Sequence, residues 1–116
     1  MLVYDLAHQL AREITETEEY RNLIKLRNEI HEVEANREML VDFQKRQNEL
    51  LKVHMAGETP APEKVEELEK LMEVMMMNPV IRDYRLAEIR LIRVLGDIEK
   101  IIREAVSPAL MFQEDQ

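Results

Sequence analysis

The first fifteen residues carry apolar side chains on one face of a helix. These side chains recur at intervals of three or four residues, and polar residues fill the positions between them. Such spacing predicts a short amphipathic helix over residues 1–15. Its apolar stripe comprises Val3, Leu6, Ala7, Leu10, Ala11 and Ile14.

A second apolar stripe begins after the sequence TETEE and runs for about forty residues. Either Thr15 or Thr17 can cap a new helix, and Glu18 and Glu19 favour its first turn because they complement the helix dipole. Neither Gly nor Pro occurs from residue 17 to residue 56. The pattern therefore predicts one uninterrupted helix over 17–56, about 60 Å long at 1.5 Å per residue. Its stripe comprises Tyr20, Leu23, Ile30, Val33, Leu40, Phe43, Leu50 and Leu51.

The remaining residues predict a return arm with one break. AGETPAP indicates a turn over 57–62, and apolar residues resume helical spacing over 63–106. Asn78 is a good N-cap before a proline at the first helical position, so the arm is expected to stop and restart at Asn78-Pro79. Ser107-Pro108 is expected to end it, leaving a tail over 107–116. We predict a single all-α domain, in which a short N-terminal helix precedes a long antiparallel hairpin with a broken second arm.

Three consecutive methionines precede the break. Met75, Met76 and Met77 spread around much of a helix circumference, which is wider than one hairpin seam can cover. Methionine fills irregular space well, so the cluster is suited to packing inside a kinked hairpin or to a plastic partner surface. Together with the first helix, it predicts an obligate oligomer; the alternative is that the first helix folds back across the methionines of its own chain. The expected shared surface comprises Leu6, Leu10, Ile14, Met75, Met76 and Met77.

Gly96 interrupts a helical pattern without any turn signal. Glycine inside a helix costs about 1 kcal/mol relative to alanine. Two interpretations stay open: a tolerated neutral glycine, or the close crossing of another helix. The second helix would come from the N-terminal segment or from a second subunit.

Polar residues interrupt both predicted seams. Arg37, Gln44 and Gln47 lie where the first seam favours Leu or Ile, and Glu88 interrupts the second. They either extend to solvent at the seam's edge or fix the register of the two arms. If Met55 faces Glu63 across the turn, Leu40 lies near Asn78. Ile30 is then expected near Glu88 and Leu23 near Leu95, with Arg27, His31 or both facing Glu88.

Composition narrows the classes of function. A net charge of −8 disfavours non-specific nucleic-acid binding. The lack of Cys removes disulfides and thiolate metal sites and fits a cytoplasmic protein. No apolar run is long enough to span a membrane, and the first residues do not resemble a signal peptide. A direct RNA-binding role stays open through a basic stripe on the last helix, comprising Arg82, Arg85, Arg90, Arg93, Lys100 and Arg103.

Candidate chemistry is sparse. His8, His31 and His54 are dispersed, and Asp5 with His8 supplies only half of a carboxylate–histidine metal motif. Ser107 is the only serine, and it precedes a proline. The carboxylates lie at solvated positions without the apolar surroundings that raise a catalytic pKa. We therefore expect no enzyme activity, no metal and no cofactor.

The motifs, taken in order, resemble a known family. VYDLAHQLAREI, ETEEY, FQKRQNEL, MAGE, NPVIRDYRLAEIRL and DIEKII are similar, over residues 2–106, to the YlbF/YmcA-like family and closest to its YheA-type members. The resemblance implies an all-helical protein that forms dimers or larger assemblies. Some family members belong to a cytoplasmic complex that modulates ribonuclease Y, and through it RNA maturation, competence, sporulation and biofilm formation.

Members of that complex have been linked to iron–sulfur clusters through cysteines near the C-terminus, which this chain lacks, so the resemblance alone implies neither a cluster nor membership of the complex. The sequence as a whole predicts a non-enzymatic, cytoplasmic, self-associating interaction protein, either a regulatory or a scaffold subunit. Its expected partners are further copies of itself, with ribonuclease Y-associated factors as candidates. The alternative is an RNA-associated factor that uses the basic stripe directly.

Overall fold

The computed structural model describes residues 1–112, and these fold into five α-helices. No strand occurs in that part of the chain, which confirms the all-α class. The helices are α1 (Leu2–Thr15), α2 (Glu18–Glu32), α3 (Glu34–Met55), α4 (Pro62–Met76) and α5 (Pro79–Leu110).

The first long arm is two helices, so the prediction of an unbroken helix over 17–56 was wrong. Val33 is extended, with φ −108° and ψ 106°, and it lies between α2 and α3. Arg37 supports this break because its guanidinium donates a hydrogen bond to the backbone carbonyl of His31 at 3.2 Å. That carbonyl belongs to the last turn of α2, whose acceptors lack helical partners.

The break between α4 and α5 falls at the predicted Asn78-Pro79 step. The Asn78 side-chain oxygen accepts hydrogen bonds from the backbone N–H groups of Val80 at 3.1 Å and Ile81 at 3.5 Å. Its amide nitrogen donates to the side-chain oxygen of Asn36 at 2.8 Å. One side chain therefore caps α5 and ties it to α3.

Helix α5 continues past the proline that was expected to end it. Pro108 lies inside the last turn, and the helix ends at Leu110. A proline at this position cannot donate to the carbonyl of Glu104, four residues earlier. The hydroxyl of Ser107 donates to that carbonyl at 3.2 Å instead. The expected tail over 107–116 is thus helical through Leu110, and its residues 113–116 lie outside the described part.

The core lies where the two breaks meet. Ile30, Leu40, Phe43, Met75 and Ile81 form one buried cluster drawn from four helices. Half-buried Leu71 and Tyr84 pack around it. The cluster is small for a chain of 116 residues.

The helices pair across the core in two sets. Helix α2 packs against α5, and α3 packs against α4. Arg46 bonds to Glu67 while Asn36 bonds to Asn78, so α3 and the return arm run antiparallel. The predicted register placed Leu40 near Asn78. Asn36 bonds to Asn78 instead, so the observed register differs from the predicted one by about one helical turn.

The resulting molecule is extended. Its radius of gyration is 18.8 Å and its dimensions are 52 × 39 × 22 Å. A compact domain of this length has a radius of gyration of about 13 Å. Much of the helical surface therefore lies outside the core.

We predict that Asn78→Ala lowers the free energy of unfolding by about 1–2 kcal/mol, since it removes the cap of α5 and the bond to Asn36. Asn36→Ala loses only the bond between helices, so a smaller loss is expected. Chemical denaturation at one fixed protein concentration measures both effects. Asn48→Ala, at an exposed position of α3, is the control. Equal stability of the Asn78 and Asn48 variants would contradict the proposed role of Asn78.

Candidate functional site

Helix α1 presents its apolar stripe to solvent. None of its residues is buried, Leu6 is 54% exposed, and Leu10 is also exposed. Ile14, next to the turn into α2, is half-buried. We call Leu6, Leu10 and Ile14 the α1 stripe. These are predicted interface residues, and the structure gives the first two no substantial cover.

The turn between α1 and α2 is held by specific hydrogen bonds. Thr17 accepts from the backbone N–H of Tyr20 at 3.2 Å and donates to the carbonyl of Ile14 at 2.7 Å. Arg21 forms an ion pair with Glu16 at 2.7 Å. Thr17 is thus the cap of α2, one of the two candidates predicted, and it fixes where α1 leaves the direction of α2.

The last third of α5 is a second uncovered apolar surface. We call residues 99–110 distal α5. Within it only Ser107 is half-buried, and Ile101 is 68% exposed. Ile102, Val106 and Leu110 are exposed as well. The helical spacing of apolar residues that was predicted over 63–106 thus continues to the helix end.

The methionine cluster divides between the two predicted roles. Met75 is fully buried in the core, so it is not part of an accessible surface. Met76 is 36% exposed, and Met77, the C-cap residue of α4, is 79% exposed. The cluster therefore fills the junction with the side chain of Met75 and leaves Met77 exposed.

Gly96 has open space around it. A Cβ built on this residue would have no neighbour within 4 Å, apart from the helix's own nearby backbone. The N-terminal segment therefore does not cross here. The two interpretations that stay open are a neutral glycine and a helix that crosses from another chain.

The polar seam residues have different roles. Gln44 and Gln47 are exposed, and Arg37 bonds across the Val33 break. Glu88 forms its ion pair with Arg85 of its own helix. Arg27, one of the two cations predicted to face Glu88, is close enough to lower the pKa of the neighbouring Tyr84.

Arg85 and Glu88 belong to a half-buried group at the edge of the core. The Arg85 guanidinium lies over the Phe43 ring, 5.6 Å from its centroid. Burial raises the pKa of Tyr84, and the nearby charge of Glu88 raises it further. Arg85 thus contacts Phe43 and Glu88 within the fold, so it is not part of an exposed basic stripe.

The other cations of that stripe stay exposed on α5. Two have acidic neighbours: Arg90 shares a shallow hollow with Glu18 and Glu19, and Lys100 lies 3.9 Å from Glu104. Among residues 1–112, no group of three or more His, Asp or Glu side chains could hold a metal ion. No helix of that part of the chain is both long and apolar enough to cross a bilayer. The prominent surface features are therefore the exposed apolar helix faces.

The chain is similar to known proteins over most of its length. A family model described as "Control of competence regulator ComK, YlbF/YmcA" matches residues 3–107. A UPF0342 protein of Symbiobacterium thermophilum is 42% identical over 110 residues, which cover 95% of this chain and 98% of the relative. A UPF0342 protein of Halothermothrix orenii is 40% identical over 102 residues, covering 88% and 86%.

Two solved structures share the fold. One is a protein of unknown function (DUF964) from Bacillus stearothermophilus, with a TM-score of 0.82 and 19% identity, covering 92% of this chain and 94% of that one. The other comes from the crystal structure of Bacillus subtilis RicA in complex with RicF, with a TM-score of 0.62 and 22% identity, covering 94% and 96%. The helical arrangement therefore recurs in sequences that have diverged widely.

We expect Gly96→Leu to weaken self-association, because a leucine would obstruct a partner helix that crosses at this bare backbone. Helicity should be retained, since the isolated chain has room for the side chain. Sedimentation equilibrium and circular dichroism measure the two quantities. Lys64→Leu, which places the same side chain at an exposed position of α4 outside the predicted interface, is the control. A Gly96 variant that melts higher and keeps its oligomeric state would contradict a crossing at this residue.

Proposed function

Because this chain belongs to the YlbF/YmcA family, we propose that it is a non-enzymatic, cytoplasmic interaction protein that self-associates and acts as a regulatory or scaffold subunit. The proposed shared surface contains the α1 stripe, Met76, Met77 and the backbone at Gly96. Its partners are further copies of itself and other regulatory proteins.

The extent of exposed surface is the observation that carries this proposal. The chain exposes 9756 Å². A compact monomer of 13.8 kDa is expected to expose about 6,600 Å², so the excess is about 3,000 Å². Obligate homodimers bury about 1,000–2,500 Å² on each subunit. The excess is thus large enough to supply such an interface.

Two parts of the proposed surface lie at opposite ends of α2. The α1 stripe precedes Glu18, whereas Met77 lies next to Asn78, which bonds to α3. Helix α2 has 15 residues and is therefore about 22 Å long. A two-fold assembly can use both parts, because each copy presents them to the other.

The biological setting is inferred from relatives. A family described by control of a competence regulator and a fold relative crystallised in complex with RicF favour action through protein contacts. We propose a role linked to RNA processing or developmental control, with ribonuclease Y-associated factors as candidate partners. The proposed subtype is YheA-like. The absence of Cys separates this chain from members that hold iron–sulfur clusters.

We expect Leu10→Glu and Met76→Glu each to dissociate the assembly at low micromolar concentration. A carboxylate placed in an apolar interface loses its hydration without gaining a partner. Sedimentation equilibrium measures the mass, and circular dichroism checks that helicity is largely retained.

Gln9→Glu is the matched control, since it adds the same charge to the neighbouring position of α1 outside the stripe. It should leave the mass unchanged. A wild-type chain that sediments as a folded 13.8 kDa monomer, unaffected by either substitution, would refute self-association through these residues.

Direct RNA binding is the second candidate function. The observation in its favour is that Arg82, Arg90, Arg93, Lys100 and Arg103 are all exposed on α5. The net charge of −8 and the acidic neighbours of Arg90 and Lys100 oppose it. Protein contact is the better-supported function.

A retardation assay with structured RNA separates the two functions. Direct phosphate binding must weaken steeply as salt rises from low to physiological concentration, because it releases counterions. We expect no retarded complex at physiological salt. A salt-sensitive complex that disappears in Arg93→Gln/Arg103→Gln would favour the RNA function instead.

A further inference from the structure

The face of α5 that packs on α2 continues uncovered into distal α5. Ala87 is buried, and Leu91 and Ile98 are half-buried along this face. Ile102 follows at the same helical spacing but is 55% exposed, because α2 ends before reaching it. Distal α5 is therefore the unpaired extension of an existing seam between helices.

The register of α2 on α5 indicates what would fit this extension. Asn22 and Leu26 of α2 share a shallow hollow with Asp83 and Leu86 of α5. Glu18 and Glu19, earlier in α2, share the next hollow with Ala87 and Arg90, later in α5. Residue numbers thus fall along α2 as they rise along α5. Continuing this register into α1 sets its apolar stripe against Ile98 and the apolar side chains of distal α5. The pairs are Ile14 with Ile98, Leu10 with Ile102, and Leu6 with Val106.

The chain's own α1 does not take this position. The turn at Glu16 and Thr17 diverts α1, which packs against α2 and makes no comparable contact with α5. Two complementary apolar faces are therefore present in one chain without covering one another.

We propose that α1 of a second copy of this chain packs antiparallel on distal α5, through Leu6, Leu10 and Ile14, in a reciprocal exchange between two subunits. This inference rests on the proposed self-association and specifies its contacts. It also adds Ile102 and Val106 to the shared surface.

The dimensions of the two segments agree. Helix α1 has 14 residues and is about 21 Å long, while distal α5 is about 18 Å long. A two-fold dimer forms this contact twice, covering both α1 helices and both distal α5 segments. The exposed surface that exceeds that of a compact monomer is large enough for such an exchange.

Engineered disulfides test the proposal, since the natural chain contains no Cys. A tagged Leu10→Cys chain is co-expressed with an untagged Ile102→Cys chain and oxidised under mild conditions. A single-cysteine chain cannot form an internal disulfide, so a bond between tagged and untagged chains reports contact between subunits. We expect this mixed species, and a second one from Leu6→Cys with Val106→Cys. The substituted residues are all exposed, so the fold should tolerate them.

Replacement of Ile102→Cys by Lys64→Cys, at an exposed position on α4, is the matched control and should abolish the mixed species. A sedimenting dimer that forms neither mixed disulfide would overturn the exchange and leave self-association standing. A monomer would overturn both. The double variant Leu10→Cys/Ile102→Cys adds one further test. If it forms only an internal disulfide at monomer mass, α1 closes on its own α5 and the exchange is wrong.

Discussion

The contact between Asn36 and Asn78 aligns the two breaks on which the structure depends. Asn78 caps α5, and its amide nitrogen reaches Asn36 three residues after the break at Val33. Both arms therefore change direction at one level. The core cluster lies at that level, with Met75 and Ile81 from either side of one break and Ile30 and Leu40 from either side of the other. A methionine suits this position because it adapts to the irregular space between four helix ends.

A core confined to this junction leaves the far ends of the helices without cover. Both α1 and distal α5 are amphipathic, yet neither contributes a residue to the core. A soluble monomer seldom exposes large contiguous apolar surface. The confinement of the core to the junction therefore leaves apolar surface exposed on the isolated chain, and the proposed function through protein contacts uses that surface.

Sequence patterns predicted the features that depend on local chemistry. The Asn78-Pro79 break was predictable because Asn accepts from the first helical N–H groups and Pro suits the first helical position. The Val33 break was not, because no local signal marks it and its support comes from Arg37 and from burial of Ile30 and Leu40 together. The candidate surface was predictable in α1, where apolar spacing is clear. The separation of Met75 from Met77 depends on the position of α3, which helical spacing does not give.

The turn at Thr17 has the largest consequence for assembly. If α1 continued the direction of α2, the register of α2 on α5 would bring Leu10 onto Ile102 within the same chain, and the apolar faces would be used internally. The chain instead ends α1 at Thr15 and starts α2 at Glu18, and between them the Thr17 hydroxyl donates to the carbonyl of Ile14 and accepts from the N–H of Tyr20. The apolar faces of α1 and distal α5 therefore do not cover each other within one chain. An interaction protein needs this condition, because its apolar surface must be available to a partner.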